Sequence, residues 1–398
     1  MTTTPPWLRA IDAAGLRDPD GSVRPTIFAE MSALATRHDA VNLGQGFPDE
    51  HAPAPVTEAA IAAIRAGLNQ YPPGRGTPEL RAAVAEHRER FFGELRHPDT
   101  EVLITAGATE AIAAALLAFA GVGDDVVTLS PFYDAYAAMV GLTGARHVTI
   151  PLEGENFQPT PEAIDSAIGP NTRLVLINNP HNPTGSVIAP ELLERIVAAA
   201  ARHDAIIVSD EVYEHLVFDD APFTPIARIP GAAERSLTIS SAAKTFRVTG
   251  WKIGWMTGPA TLIDAAMAVK QYLTYVNGAP FQPAVAVGLG LGDDYFAEQR
   301  RTMAARRDRL AAGLATAGFA VSPSKGSYFV VADASPLGVS DANQFARELT
   351  IERGVAAIPL SAFDPRSGDA RIHSSLRFAF CKTDAQIDEA VRRLTAGR

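Results

Sequence analysis

Lys244 stands in the run SSAAKTFRVTGWKIGW (Ser240 to Trp255), where its neighbours Ser240, Ser241, Ala242, Ala243, Phe246 and Trp251 are small or apolar. Most lysines are solvated surface charges. An amine enclosed in such company loses the hydration of its charged form, its pKa falls, and it becomes a usable nucleophile. Composition alone leaves both readings of Lys244 open. A second lysine, Lys252, follows eight positions later.

Four further segments carry residue types suited to holding a ligand. Asp210 lies in SDEVYEHL (Ser209 to Leu216), directly after the β-rich AIIV. A carboxylate at the carboxyl end of a strand in an open α/β sheet sits where ligands bind, and it can pair with a protonated ring nitrogen. The same aspartate would equally serve as a helix N-cap. Tyr213, three residues on, offers a phenol to the same ligand. Asn182 lies in NNPHNPTG (Asn178 to Gly185), a rigid turn that either shapes a loop or presents an amide to a ring oxygen. In ITAGATEAIAAA a strand breaks at Gly107 and restarts as a helix, aiming the N–H groups of Gly107, Ala108 and Thr109 at an anion. Arg377, within the apolar strand pattern SLRFAFCK (Ser375 to Lys382), is either paired structurally or reserved for a carboxylate, which its planar fork grips in bidentate fashion.

The elements that must position these groups follow from periodicity. From about Glu101, short β-branched runs (EVLIT, DDVVTLS, ARHVTI, RLVLIN, AIIVSD, LTIS) alternate with helical stretches such as ATEAIAAALLAFA and ELLERIVAAAARH. Such alternation means βαβ units and a mostly parallel sheet sandwiched by helices, continuing to about Gly258. One long helix is expected after Gly258 and another over roughly Asp293 to Ala317. Beyond them, SYFVVAD, VAAIP and SLRFAF mix with helices in an α+β style. The opening 25 residues, rich in Pro, Asp, Gly and Thr, read as an arm without packing. Three units are expected: an N-terminal arm and part of a small domain (1–47), a large α/β domain (48–290), and a small α+β domain (291–398).

Bulk properties narrow the function classes. The 398 residues are 47% hydrophobic and 20% charged, ordinary for a globular chain of more than one unit. A net charge of -10 argues against nucleic-acid binding, which needs a basic face. The single cysteine, Cys381, excludes an intrachain disulfide and a cysteine-based metal site, and no metal is expected. No segment reaches a membrane-spanning apolar length, the Ala111 to Ala120 stretch being stopped by Gly121 and two aspartates. MTTTPPWLRA carries no secretion-signal pattern, so a cytoplasmic location is expected.

Taken in chain order, the helix-start anion site, the Asn loop, the Asp-x-x-Tyr, the Ser-x-x-Lys with a basic residue eight on, and the late strand arginine resemble the class I, fold-type I aminotransferases dependent on pyridoxal 5'-phosphate (PLP). The resemblance runs from Val41 to about Leu394. It takes in VNLGQGFPDE (Val41 to Glu50), NQYPPGRG (Asn69 to Gly76) and SPFYDAY (Ser130 to Tyr136). These segments are similar to the branch holding kynurenine, glutamine and methionine aminotransferases. EMSALATRHDAVNLGQGFPDE, EHLVFD and QYLTYVNGAPFQPAVA look most like the actinobacterial N-succinyldiaminopimelate aminotransferases.

The resemblance implies a role for each residue. Lys244 would carry PLP as a Schiff base and then move the proton at the substrate Cα. Asp210 would hold the proton on the ring nitrogen, Asn182 and Tyr213 would hydrogen-bond the ring oxygen, and Tyr133 would stack on the ring. Ser241, Lys252 and the amides of Gly107, Ala108 and Thr109 would hold the phosphate, with lysine at 252 where many relatives carry arginine. Tyr71 would reach the phosphate of a neighbouring subunit, which implies a homodimer with shared sites. Arg377, helped by the Gly46 backbone, would take the substrate α-carboxylate. Arg247 departs from the pattern, since relatives show a small or polar residue there; a surface ion pair and a change to the site rim are both open.

Amino acid and 2-oxo acid substrates follow, with the 2-oxoglutarate/glutamate couple as one half. The donor is expected to be N-succinyl-LL-2,6-diaminopimelate, of lysine biosynthesis, with kynurenine, glutamine or methionine as the rival. Arg24, Tyr275 and Asn277 are candidates for the distal end of the substrate. A PLP β-lyase on cysteine conjugates would use the same residues. A PLP-binding transcription regulator would need a DNA-binding module ahead of the motif region, and the roughly 40 residues there show no such pattern.

Overall fold

A computed structural model describes residues 4–396; the outermost positions of the expected first and last units lie outside the described residues. Its centre is an eight-stranded sheet. From edge to edge the strands are Val102–Thr105, Gly254–Thr257, Ser236–Ser241, Ile206–Asp210, Thr172–Asn178, Asp125–Ser130, Arg146–Glu153 and Gln158–Pro159. The five from Ser236–Ser241 to Arg146–Glu153 are parallel. Gly254–Thr257 runs against both of its neighbours, so Val102–Thr105 again points with the five. The mostly parallel α/β sheet expected from the alternation is present.

The strands are apolar on both faces because both are covered. Successive side chains point to opposite sides. Val127, Val175, Ile177 and Ile207 join one core with Leu193, Ile196 and Val197 of the helix Pro190–Arg202. Val126, Leu174, Leu176 and Val208 join another with Ile112 and Leu116 of the helix Gly107–Phe119 and Ile263 of Ala260–Lys270. At roughly 25 cal/mol per Å² of buried apolar surface, these two layers are the main stabilising contribution to the sheet.

A four-stranded antiparallel sheet (Ala320–Val321, Phe329–Asp333, Ser375–Ala379, Ile358–Pro359) forms in the C-terminal part. The early pair Val41–Asn42 lies parallel to Val355–Ala356, so the chain's beginning is sewn to its end. The first core runs on without a break into this part, through Met31, Leu34, Val330, Val331, Leu376 and Phe378. Among the described residues no helix is long and apolar enough to cross a membrane.

Three sequence expectations change. The opening is not an unpacked arm: Pro6–Ala13 is a helix, started by prolines that suit a first turn, and it lies on the helix Ala135–Thr143. Arg9 Nε donates to Gly141 O at 3.0 Å, and a Cβ on Gly141 would come within 2.7 Å of Arg9 O. The single long helix expected after Gly258 is two, Ala260–Lys270 and Phe281–Leu289. Tyr275 and Gly278 take positive φ between them, and Lys270 Nζ, donating to Tyr275 O at 2.6 Å, closes the first helix. Gly254–Thr257 is a strand that alternation did not reveal, because it is short and antiparallel within a parallel series.

Candidate active site

A cavity of about 470 Å³ opens at the carboxyl edge of the large sheet and is closed from the other side by the segment around Gly46 and by Phe329 and Arg377. Asp210, Ser241 and Asn178 end three parallel strands there, and Gly107 to Thr109 follow a fourth. Lys244, Tyr133, Asn182, Tyr213, Lys252, Gly46 and Arg377 complete the gathering. Of the residues singled out from sequence for the site, Tyr71 does not line it, nor do the distal-end candidates Arg24, Tyr275 and Asn277.

Lys244 lies in the short helix Ala242–Thr245, whose backbone is held from the helix Asp293–Thr316: Gln299 Nε2 and Tyr295 Oη both donate to Thr245 O, at 2.9 and 2.7 Å. Its Nζ donates to Gly46 O at 3.1 Å and lies 5.5 Å from the centre of the Tyr328 ring. Desolvation lowers its pKa to about 8, against the opposing pull of Cys381 and Asp210. An amine so placed has a far larger neutral fraction near physiological pH than an ordinary lysine, and the neutral form is the one a nucleophile or proton carrier needs.

Asp210 starts no helix, so the N-cap alternative falls away; its Oδ1 accepts from Val212 N in a tight turn. Its Oδ2 accepts from Tyr136 Oη at 2.6 Å. Burial raises its pKa to about 6, partly offset by the Tyr136 bond. Among the described residues no arginine or lysine forms an ion pair with it, so the carboxylate's charge awaits a cation in the cavity. Tyr213 is buried edge-on to Tyr328, with ring centres 5.0 Å apart, and burial pushes its phenol pKa upward. Tyr133 is partly buried, at 5.5 Å and nearly perpendicular to Tyr136, its phenol pushed up to about 12 by desolvation.

The start of Gly107–Phe119 has no side-chain cap, which leaves its first N–H groups free. Gly107 sits at φ +74°, and a Cβ there would lie 3.3 Å from Lys252 Nζ. Gly254 lets that helix start approach closely, since its Cβ would fall 2.6 Å from the Gly107 carbonyl carbon. Lys252 Nζ stands 3.4 Å from Thr109 Oγ1. Free amides, a hydroxyl, an ammonium and the Ser241 side chain suit a dianionic phosphate. With a ring-facing carboxylate at Asp210 and an amine at Lys244, the donor set fits PLP.

Arg377 is buried between the rings of Phe329, Phe363 and Phe28, with its guanidinium carbon 4.0, 4.6 and 5.4 Å from their centres. Its Nη1 donates to Asn182 Oδ1 at 2.9 Å and its Nη2 to Gly44 O at 2.7 Å, while Nε has no partner. Burial draws its pKa down to about 10. Among the described residues no carboxylate forms an ion pair with it, and its polar partners are the neutral Asn182 and Gly44 oxygens.

Other expectations place differently. Tyr71 is 82% exposed, lies edge-on to Tyr275 and does not line its own chain's cavity. Arg24 pairs with Asp18 away from the cavity. Asn277 Nδ2 donates to Thr105 O and Lys252 O, both at 3.0 Å, bracing the anion cradle from behind and not touching the distal substrate region. Arg247 forms an ion pair with Glu50 at 2.8 Å. Sequence reasoning missed Tyr136, Tyr328 and Phe28. Tyr136 had a signal, its three-residue spacing from Tyr133; Phe28 reaches the cavity, and Tyr328 the Gly46 carbonyl beside Lys244, only through long-range packing.

A family model described as aminotransferase class I and II matches residues 38–394. The chain is 53% identical over 378 residues to the probable N-succinyldiaminopimelate aminotransferase DapC of Mycobacterium tuberculosis, covering 93% of this chain and 95% of the relative. It is 36% identical over 369 residues to the methionine aminotransferase of Escherichia coli, covering 93% and 95%. The solved structure of N-succinyldiaminopimelate aminotransferase from Mycobacterium tuberculosis superposes with a TM-score of 0.91, over 93% of this chain and 97% of that one, at 53% identity. Aspartate aminotransferase from Thermus thermophilus with maleate gives 0.87 at 31% identity over 99% of each chain.

Proposed function

The chain belongs to the class I and II aminotransferases, and we propose that it uses PLP to exchange an amino group between N-succinyl-LL-2,6-diaminopimelate and the 2-oxoglutarate/glutamate couple. The observation that carries the PLP assignment is the convergence, in one cavity, of the Lys244 amine, the cation-free Asp210 carboxylate and the uncapped helix start beside Lys252. The 53% identity to a protein of that name supports the donor.

Bound there, PLP would supply an aromatic electron sink for the pair left when the donor's Cα loses its proton. Lys244 would bind the cofactor, and its amine would move the proton at the donor's Cα. Asp210 would keep the ring nitrogen protonated, with Tyr136 fixing the orientation of that carboxylate. Asn182 and Tyr213 would donate to the ring oxygen, and Tyr133 would pack against the ring. Gly107, Ala108, Thr109, Ser241 and Lys252 would bind the phosphate. Arg377 would orient the donor by its α-carboxylate, with the Gly46 backbone beside it.

The remaining assignments are part of the same proposal. Tyr71, edge-on to Tyr275 and exposed as Tyr272 and Leu273 are, would complete the site of a second copy in a homodimer. The three units keep the limits 1–47, 48–290 and 291–398, and the protein works in the cytoplasm. A methionine- or kynurenine-type donor is the second reading, favoured by the apolar wall of Phe28, Phe47 and Phe329. An amino-donor screen with 2-oxoglutarate, read by the cofactor's absorbance in half-reactions, separates the two. Absence of any responding donor would end the transferase reading for this chain. Thiol and ammonia released without an acceptor would mark a β-lyase.

A further inference from the structure

The segment Gly44 to Glu50 forms one wall of the cavity through Gln45, Gly46 and Phe47. Basic side chains hold it at two ends. At the chemical end, Arg377 Nη2 donates to Gly44 O at 2.7 Å, and Gly46 O accepts from Lys244 Nζ at 3.1 Å and from Tyr328 Oη. At the far end, Lys382 Nζ donates to Phe47 O at 3.1 Å and pairs with Asp49 at 3.2 Å. Glu50 is shared between Arg247 Nη1 at 2.8 Å and Arg306 Nη2 at 2.6 Å, and Arg306 Nε continues to Asp384 at 2.9 Å.

The two ends differ in what happens when the site is used. Once its amine is bound to the cofactor, Lys244 no longer holds the Gly46 carbonyl, which keeps only the Tyr328 hydroxyl. Arg377 exchanges its carbonyl partner for a carboxylate. The far-end contacts involve no group that the reaction consumes. Arg306 lies two helical turns beyond Gln299 on Asp293–Thr316, so one helix both holds the lysine turn and grips Glu50. Arg247 is held at φ +58°, a left-handed conformation that a residue with a Cβ adopts only at a cost, and its Nε is buried without a partner. Its surroundings hold it there with the guanidinium on Glu50.

We propose that Arg247 is a positioning residue, which through Glu50 keeps the Gly44 to Glu50 wall in place after Lys244 and Arg377 have released its carbonyls. The inference rests on the PLP aminotransferase reading for the release of those carbonyls. It gives a role to the one departure from the family pattern, since Arg247 ties the lysine turn to the wall that Lys244 has let go.

Hydrogen–deuterium exchange of a peptide spanning residues 43–50 tests this in the full chain, cofactor-free and loaded with PLP plus maleate as the carboxylate for Arg377, for wild type, Arg247→Ser, Arg247→Lys and Glu50→Gln. In the PLP-loaded protein, Arg247→Ser and Glu50→Gln each speed exchange of that peptide about fivefold or more. In the cofactor-free protein, where Lys244 still holds Gly46, the change is less than about twofold. Arg247→Lys restores most of the protection, and the double variant is no looser than either single one. With L-glutamate as donor, KM rises about threefold to tenfold while kcat stays within about twofold, since the wall is ordered at the expense of binding. Equal loosening with and without PLP would reduce the pair to an ordinary surface contact and overturn the proposal, as would unchanged exchange in both loaded variants. A chain that transaminates no donor leaves the exchange result intact, so the two failures are told apart.

Discussion

The segment Ser209 to Leu216 has two chemically opposite sides. On one, Asp210 and Tyr213 face the cavity; on the other, Glu211, Glu214 and His215 are buried against Arg88 and His87. Arg88 pairs with Glu94, Glu211 and Glu214, while Ser209 and Ser240 hydroxyls satisfy the two glutamates of the segment at 3.0 and 2.9 Å. Burial pulls the Arg88 pKa down, but three carboxylates outweigh it and raise it overall. His87 Nε2 and His215 Nε2 lie 2.8 Å apart, and desolvation holds His87 down to about 3, so the pair is neutral and shares one proton. The far side is internally complete. The cavity side is left with a carboxylate lacking a cation and an arginine lacking an anion. Full satisfaction marks a structural cluster, and missing counterions mark a binding site.

The sharpest way to break this comparison is Lys244→Ala, which should lower turnover roughly 10^4-fold or more while leaving cofactor binding through the phosphate cradle detectable; retained turnover would remove Lys244 from its role. Arg88→Met strikes the other side. It should cost about 4 kcal/mol in unfolding free energy, because three carboxylates lose their shared cation. That loss should be larger near pH 8 than near pH 5. Burial already raises Glu211 and Glu214 to about 7 with Arg88 present, and without it they are tolerated only as neutral acids. An equal loss at both pH values in denaturant titrations would contradict the assignment of charge.

Asp210→Asn should reduce turnover about 10^2- to 10^3-fold with unfolding free energy unchanged or higher, since a desolvated carboxylate is removed. A large loss of stability would move Asp210 into the structural class. The smallest effect concerns the cofactor-free protein. Lys244 titrates near pH 8 when folded and near 10.5 when unfolded. Between those values the unfolded chain binds more protons, so wild-type stability rises with pH across that window. Lys244→Ala should be more stable than wild type by about 3 kcal/mol below pH 8, with the gap closing toward pH 10.5.

Legibility followed locality. Lys244, Asp210, Asn182 and Gly107 could be read because each lies at a strand end or turn whose own residues announce it: small neighbours, a β-branched run, paired prolines, a glycine before a helix. The cluster of buried glutamates around Arg88 was not legible. Glu211 and Glu214 lie among the residues quoted for Asp210, but their partner Arg88 is more than 120 positions away, and nothing near Arg88 marks it as buried. The unpacked reading of the opening residues failed for the same reason, since Pro6–Ala13 finds its surface on Ala135–Thr143.

Residue order alone determined the mostly parallel α/β architecture, the family resemblance and the amine, carboxylate, amide-cradle and arginine set, because period-two burial and strand-end turns are local consequences of side-chain size, branching and backbone freedom. Only the tertiary structure decided which charges stay uncompensated. It put Tyr136 on Asp210, turned Arg88 into the cation of three buried acids, and brought Glu50 between Arg247 and Arg306. Whether a buried charge is satisfied depends on neighbours supplied by other elements, and sequence spacing carries no measure of that distance.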